Sequence, residues 1–188
     1  MYNRQHGNKG TDINRLVHLI RSGLEQSDEI SIPLYKELDF IDSYVDLQRY
    51  GLSNDFEYDL EIDKNVYDGT LIPSMIIQIA VENAIKHGLR GLEGDTRIDI
   101  NIRNIGNIMQ ILVTDNGRGI DSSEKKDDST GTGMTVIREI LNILNERNEA
   151  QMVYELNVNS NGKGCQVKIL VPLEYDYALG VESIESVK

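Results

Sequence analysis

The chain has 188 residues and a net charge of −12, from 31 Asp and Glu against 19 Lys and Arg. That balance excludes broad contact with nucleic acid or with an anionic membrane surface, both of which rest on Lys and Arg neutralising phosphates. Hydrophobic residues at 39% and charged residues at 27% describe one globular domain with room for an appendage, and no run approaches the length of a membrane span.

In chain order, residues 1–12 (MYNRQHGNKGTD) are too polar for a signal peptide. Asp12 can cap a helix over about Ile13 to Gln26, with Ile13, Leu16, Val17, Ile20 and Leu24 forming an apolar stripe that wants a partner. Ser27-Asp28-Glu29 breaks the pattern. Pro33 then opens a second helix, about Leu34 to Arg49, with Leu34, Leu38, Ile41, Tyr44 and Val45 as its apolar set. Phe56, Tyr58, Leu60 and Ile62 alternate with charged neighbours, as in a half-buried strand. Pro73 is expected in the first turn of a third helix, where a missing N–H is harmless. That helix runs through Gln78 to Gly88 and is apolar nearly all round, so it should be buried. Ile98, Ile100 and Ile102 mark a strand, and Ile108 to Asp115 another, with Gly106-Asn107 as the hairpin turn. Residues 121–130 (DSSEKKDDST) have no periodicity and read as a mobile loop. Met134 to Arg147 is amphipathic, with Val136, Ile137, Ile140, Leu141 and Leu144 on one side. Strands near Met152–Val158 and Cys165–Val171 turn at Asn161-Gly162, and an acidic tail is expected from Asp176. These elements predict an α/β two-layer sandwich: a mixed, mostly antiparallel sheet with helices on one face. The single cysteine, Cys165, excludes an internal disulfide and fits a reducing, cytoplasmic compartment.

Three stretches carry chemistry beyond what a core needs. In the buried helix, Asn83, Lys86 and His87 stand at i, i+3 and i+4 and should share a face, with Glu82 beside them. An amide oxygen next to a cation and an imidazole suits hydrated Mg²⁺ and phosphate oxygens, although a polar edge where the helix leaves the core fits the same residues. By strand parity Asp115 falls on the face of Met109, Ile111 and Val113. A carboxylate pointing into an apolar layer needs a donor, and an adenine amine would supply one. Gly117 and Gly119 follow it, allowing close backbone approach, although a capping Asp in a turn fits too. Lastly, Gly131-Thr132-Gly133 leads into the amphipathic helix at Met134, leaving N–H groups and the positive helix end for an anion.

The order Glu82-Asn83-Ala84-x-Lys86-His87-Gly88, then Asp115-x-Gly117-x-Gly119, then Gly131-x-Gly133 before a helix resembles the N, G1 and G2 boxes of the GHKL ATPase superfamily. Leu34-x-x-Glu37-Leu38, Tyr44-Val45-x-Leu47-Gln48 leading to Tyr50, and Ile72-Pro73 before the motif helix are similar to the LytS-type sensor histidine kinases. The resemblance runs from about Arg15 to Leu173 and implies the Bergerat fold holding Mg-ATP or ADP. It implies that Asn83 ligates Mg²⁺, that Lys86 and His87 lie near the phosphates, and that Asp115 accepts the adenine amine. Gly117, Gly119 and Ile120 would then wall the base, and Gly131, Thr132, Gly133 and Met134 would form the lid edge over the phosphates. Glu82 is the nearest acidic candidate for a general base. Ile79 stands where many superfamily members have a polar residue, and Gly164-Cys165 where many have Gly-Thr.

The resemblance further implies transfer of the ATP γ-phosphate to a histidine on a dimerisation helix, and then to a response regulator, by a homodimeric parent anchored at the membrane. No Asn-Pro-His-Phe-like acceptor segment occurs in the chain, and His6 and His18 lack that context. The expectation is therefore a piece of a longer kinase: residues 1–30 from the dimerisation region, 31–175 the ATP-binding domain and 176–188 a tail. A non-catalytic nucleotide-gated module and an anti-sigma-factor-like serine kinase are the alternatives.

Overall fold

The computed structural model describes residues 29–51, 56–92, 94–119, 132–159 and 162–177. The expected first helix at 13–26 and the loop at 121–130 lie outside these residues. The elements are β1 (Ser31–Pro33), α1 (Leu34–Gly51), β2 (Glu57–Ile62), β3 (Leu71–Pro73), α2 (Ile76–Asn83) continued by a π-helical turn (Ala84–Leu89), β4 (Arg97–Ile105), β5 (Ile108–Asp115), α3 (Thr132–Asn145), β6 (Val153–Val158) and β7 (Cys165–Pro172). Five strands form one sheet in the order β2-β4-β5-β7-β6, antiparallel except for the parallel β2–β4 pair. No helix among the described residues is long and apolar enough to cross a membrane.

Strand alternation builds the core, as the sequence predicts. Ile98, Ile100 and Ile102 of β4, Met109, Ile111 and Val113 of β5, and Val167, Ile169 and Val171 of β7 are all buried on one face. Against them pack Leu34, Leu38, Ile41 and Val45 of α1, Ile76, Ile77, Ala80 and Val81 of α2, and Ile137, Leu141 and Leu144 of α3. The other face mixes polar residues such as Asp99, Asn101 and Gln110 with the partly buried Leu112 and Leu170, and α1, α2 and α3 pack on the first. Ile105 pairs with Ile108, which leaves Gly106-Asn107 as a two-residue turn with Gly106 at φ +60°. Loop ends are tied to the layers by polar contacts. Arg49 donates from Nε to the Phe56 carbonyl at 2.9 Å and stacks over the Phe56 ring, closing the connection from α1 to β2. Asn145 donates to the Met152 carbonyl and accepts the Met152 N–H, closing the connection from α3 to β6.

Several expectations need correction. Pro73 does not sit in the first turn of the motif helix: it ends β3, which pairs with β1 as a separate two-stranded ribbon, and the helix starts at Ile76. The motif stretch is not one α-helix, because its hydrogen bonding widens into the π turn after Asn83. Val136 and Ile62 are exposed, at 43% and 40%, so α3 buries a narrower stripe than its sequence shows, and β2 dips out of the core at its end. The chain past β7 stays docked as far as Tyr177, and residues 178–188 lie outside the described residues. Tyr175 donates to Asn145 Oδ1, Asp176 and Asn148 exchange hydrogen bonds, and Tyr177 donates to the Leu71 carbonyl at 3.0 Å.

Candidate functional site

Asp115 is the last residue of β5, opposite Ile98, and is 5% exposed on the inward face with Met109, Ile111 and Val113. Burial pushes its carboxyl above the ordinary value, while the backbone N–H groups of Gly117 and Cys165 hold it down in part. The Gly117 N–H donates to Oδ1 at 2.9 Å. Around it the backbone is fixed: Asn159 Nδ2 donates to the Asp115 carbonyl, Asn116 Oδ1 accepts the Arg97 N–H, and Asn116 Nδ2 donates to the Asp95 carbonyl.

The end of the motif helix comes up against this carboxylate through glycine. A Cβ at Gly88 would lie 2.8 Å from Asp115 Oδ1, and a Cβ at Gly117 only 2.3 Å from the Gly88 carbonyl oxygen. The Arg118 N–H donates to that same carbonyl at 3.1 Å. From the other side the β6–β7 turn closes in, where a Cβ at Gly164 would be 1.9 Å from the Asp115 carbonyl oxygen. Three chain segments thus meet at one buried carboxylate, each by backbone contact that only glycine allows. Gly119, at φ +74°, ends the described part of the loop, and Ile120 lies outside it.

One helical segment back, Asn83 ends α2 with its side-chain Nδ2 buried and without a hydrogen-bond partner. An orphaned amide in a native interior asks for a ligand or an ordered solvent atom. Asn83 is partly buried, and Lys86 and His87 follow it exposed on the π turn. Lys86 Nζ pairs with Glu82 one turn earlier. Glu82 also lies close enough to α1 to raise the Tyr44 hydroxyl, which burial mainly pushes up, to about 12.

The third motif joins through α3. A Cβ at Gly133 would stand 3.3 Å from Cγ2 of Ile79, four residues before Asn83 on α2, and Met134 packs partly buried against the core. α3 begins at Thr132, and Gly131 lies outside the described residues. Among the described residues no group of three or more His, Cys, Asp or Glu side chains converges as a metal site. The structure therefore brings Asn83, Gly88, Asp115, Gly117 and Gly133 to one region between α2, the end of β5 and the start of α3.

Residues 70–175, over half of the chain, match the family described as histidine kinase-, DNA gyrase B-, and HSP90-like ATPase. The chain belongs to this family. It is also 33% identical to the sensor protein LytS of Staphylococcus saprophyticus over 182 residues, which are 92% of this chain and 29% of that protein. To the sensor histidine kinase YpdA of Escherichia coli K12 it is 34% identical over 109 residues, 58% of this chain and 19% of that protein. The chain thus spans under a third of the length of these relatives. The histidine kinase domain of the blue-light activated histidine kinase EL346 from Erythrobacter litoralis has the same fold, with a TM-score of 0.54 and 17% identity over 90% of this chain and 76% of that one. The histidine kinase AdeS of Acinetobacter baumannii matches with a TM-score of 0.54 and 13% identity, over 86% of this chain and 78% of that one. This ATPase-family fold is the mixed sandwich that the sequence predicts.

One residue of the arrangement has no chemical role among the sequence motifs. Glu37 of α1 is fully buried and touches the start of α2. Its signal was present, since position 37 lies three residues after Leu34 and four before Ile41, on the apolar stripe rather than off it.

Proposed function

We propose that this ATPase-family domain binds Mg-ATP between α2, the end of β5 and the start of α3, and that a longer sensor histidine kinase uses it to phosphorylate a histidine on a dimerisation helix. The observation that carries this reading is Asp115: a buried, acceptor-only side chain, held by two backbone N–H groups and walled by Gly88 and Gly117. An adenine ring has what such a slot lacks, an exocyclic amine donor on a flat apolar body. Gly88 and Gly117 keep the wall thin enough for the ring to reach the carboxylate. The orphaned Asn83 amide, which can turn its oxygen outward, fits a hydrated cation that takes few protein ligands and leans on phosphate oxygens. Mg²⁺ held there would neutralise charge on the β- and γ-phosphates.

The chain's own residues act by placing and by charge. Asp115 fixes the base. Lys86 and His87 stand exposed on the π turn and are free to meet phosphate oxygens once the Lys86–Glu82 pair opens. N–H groups in the first turn of α3, from Thr132 through Gly133 and Met134, face no intrahelical acceptor and favour an anion, and Gly131 precedes them in sequence. Glu82 is the candidate to take the proton from the attacking imidazole. In the transfer the γ-phosphorus to oxygen bond breaks, a phosphorus to nitrogen bond forms on the acceptor histidine, and ADP leaves. The phosphoryl group then passes to a response regulator. We take residues 31–175 as the nucleotide unit, residues 1–30 as part of the dimerisation region of a homodimeric, membrane-anchored parent, and the compartment as cytoplasmic.

The test uses ATP labelled on the γ-phosphate. The 188-residue chain should gain no acid-labile label, whereas the longer parent should gain it and lose it when its acceptor histidine becomes Ala. Acid-stable label on the short chain would favour the serine-kinase reading instead.

A further inference from the structure

α1 carries a carboxyl group into the apolar core. Glu37 is 0% exposed, between the buried Leu34, Leu38 and Ile41 of its own helix, a setting in which an acidic side chain is rare unless it is used. Its Oε1 accepts two backbone hydrogen bonds, from the Ile77 N–H at 2.6 Å and the Gln78 N–H at 3.0 Å. These are the second and third residues of α2, whose N–H groups have no partner within the helix. The residue at the cap position does not serve them. Met75 makes no side-chain capping bond and sits at φ +66°, the left-handed region that a non-glycine residue rarely enters. Glu37 therefore does from another helix what a Ser, Thr or Asp normally does from the preceding residue.

What α2 carries gives the cap its meaning. From Ile77 to Asn83 the helix rises only about 9 Å, so the placement of its first turn fixes that of its last. The last turn holds Glu82 and Asn83, and the π turn after it sets Gly88 against Asp115. We propose that Glu37 is a positioning residue of the nucleotide site, a cap lent by α1 that holds the first turn of α2 and so sets where Asn83 and Gly88 stand relative to Asp115. This rests on the reading of that site as an ATP site. Its other oxygen, Oε2, is buried without a partner, and burial pushes the carboxyl up to about 8 against the two N–H donors. Burial thus favours the protonated form, which Gln imitates in shape and in its carbonyl acceptor.

The experiment compares ATP affinity with Mg²⁺ by calorimetry for the wild-type protein, Glu37→Met, Glu37→Gln and Leu144→Ala, a buried residue at the far end of α3. Loss of a cap should weaken ATP about tenfold in Glu37→Met, while Glu37→Gln stays within about twofold of wild type. Leu144→Ala should lower the melting temperature and leave the affinity alone. A second measurement needs only the wild-type protein: exchange of the Ile77 and Gln78 amides should slow further when ATP saturates the site, because coupling between cap and ligand is reciprocal. Wild-type ATP binding with an indifferent Glu37→Met, a Glu37→Gln as weak as Glu37→Met, or exchange at Ile77 and Gln78 unmoved by ATP would overturn the inference alone. No ATP binding by the wild-type protein would sink the functional reading and this inference with it.

Discussion

Asp115→Asn should separate the site from the fold. The carboxylate receives N–H donors from Gly117 and Cys165 and still has acceptor capacity for a ligand amine. The amide keeps the shape but has one oxygen and adds a donor, so either a backbone N–H or the adenine amine meets an NH₂ group. A buried donor left without an acceptor costs about 1–3 kcal/mol, which is roughly 5- to 150-fold in affinity. The free protein feels an opposing term. Burial raises the Asp115 carboxyl, so the native state disfavours the charge that the amide removes. The melting temperature of the free protein should therefore stay within about 4 °C of wild type. Calorimetry with ATP and GTP, beside a thermal scan, reads both quantities. The expected result is weaker ATP with a reduced preference over GTP at nearly constant stability. ATP affinity within about twofold of wild type would refute the assignment of Asp115 as the adenine acceptor.

Other substitutions address the remaining parts of the account. Asn83→Ala should shrink the difference in ATP affinity between buffers containing Mg²⁺ and EDTA, and an undiminished difference would remove Asn83 from the metal. Gly164→Ala combines φ +72° with a Cβ 1.9 Å from the Asp115 carbonyl oxygen, so urea unfolding should show a loss of about 2–5 kcal/mol, and a loss below about 1 kcal/mol would contradict the close packing. Glu37 titrates near 8 in the folded protein against an ordinary 4.5, so the native state keeps a proton that the unfolded chain releases. Its stabilising share is complete below about pH 4.5 and falls with rising pH toward 8, by at most about 1.4 kcal/mol per unit. Tyr154, buried nearby and pushed up to about 12, stays neutral throughout that window. Glu37→Gln should accordingly gain on wild type in stability from pH 5 to pH 8, and parallel pH profiles would contradict the burial of that proton.

Regular periodicity made most of the fold legible. Two-residue alternation determines which side of β4, β5 and β7 is buried, and the same parity puts Asp115 on the inward face, where it is found. Features defined by one or two residues of backbone geometry were not legible. Nothing in Ala84-Ile85-Lys86-His87-Gly88-Leu89 distinguishes a π turn from an α-helical one, since the side chains suit both, and so the change of hydrogen bonding after Asn83 was not legible. The β1–β3 ribbon is three residues per strand, too short for a period, and its Pro73 carries the same signal as a helix start. Tyr177 lies in the segment expected as an acidic tail, yet its hydroxyl reaches the Leu71 carbonyl, a contact set by tertiary placement. Glu37 was legible in principle: an acidic residue on an apolar stripe needs a buried partner, although the stripe alone does not say that the partner is the first turn of α2.

The most direct test of the nucleotide site is a calorimetric titration of the unmodified 188-residue chain with ATP in Mg²⁺, followed by competition with ADP and GTP. The account predicts saturable one-to-one binding of ATP, displacement by ADP, and clearly weaker binding of GTP. Absence of saturable ATP binding, or equal affinity for GTP, would contradict a site built on the Asp115 acceptor.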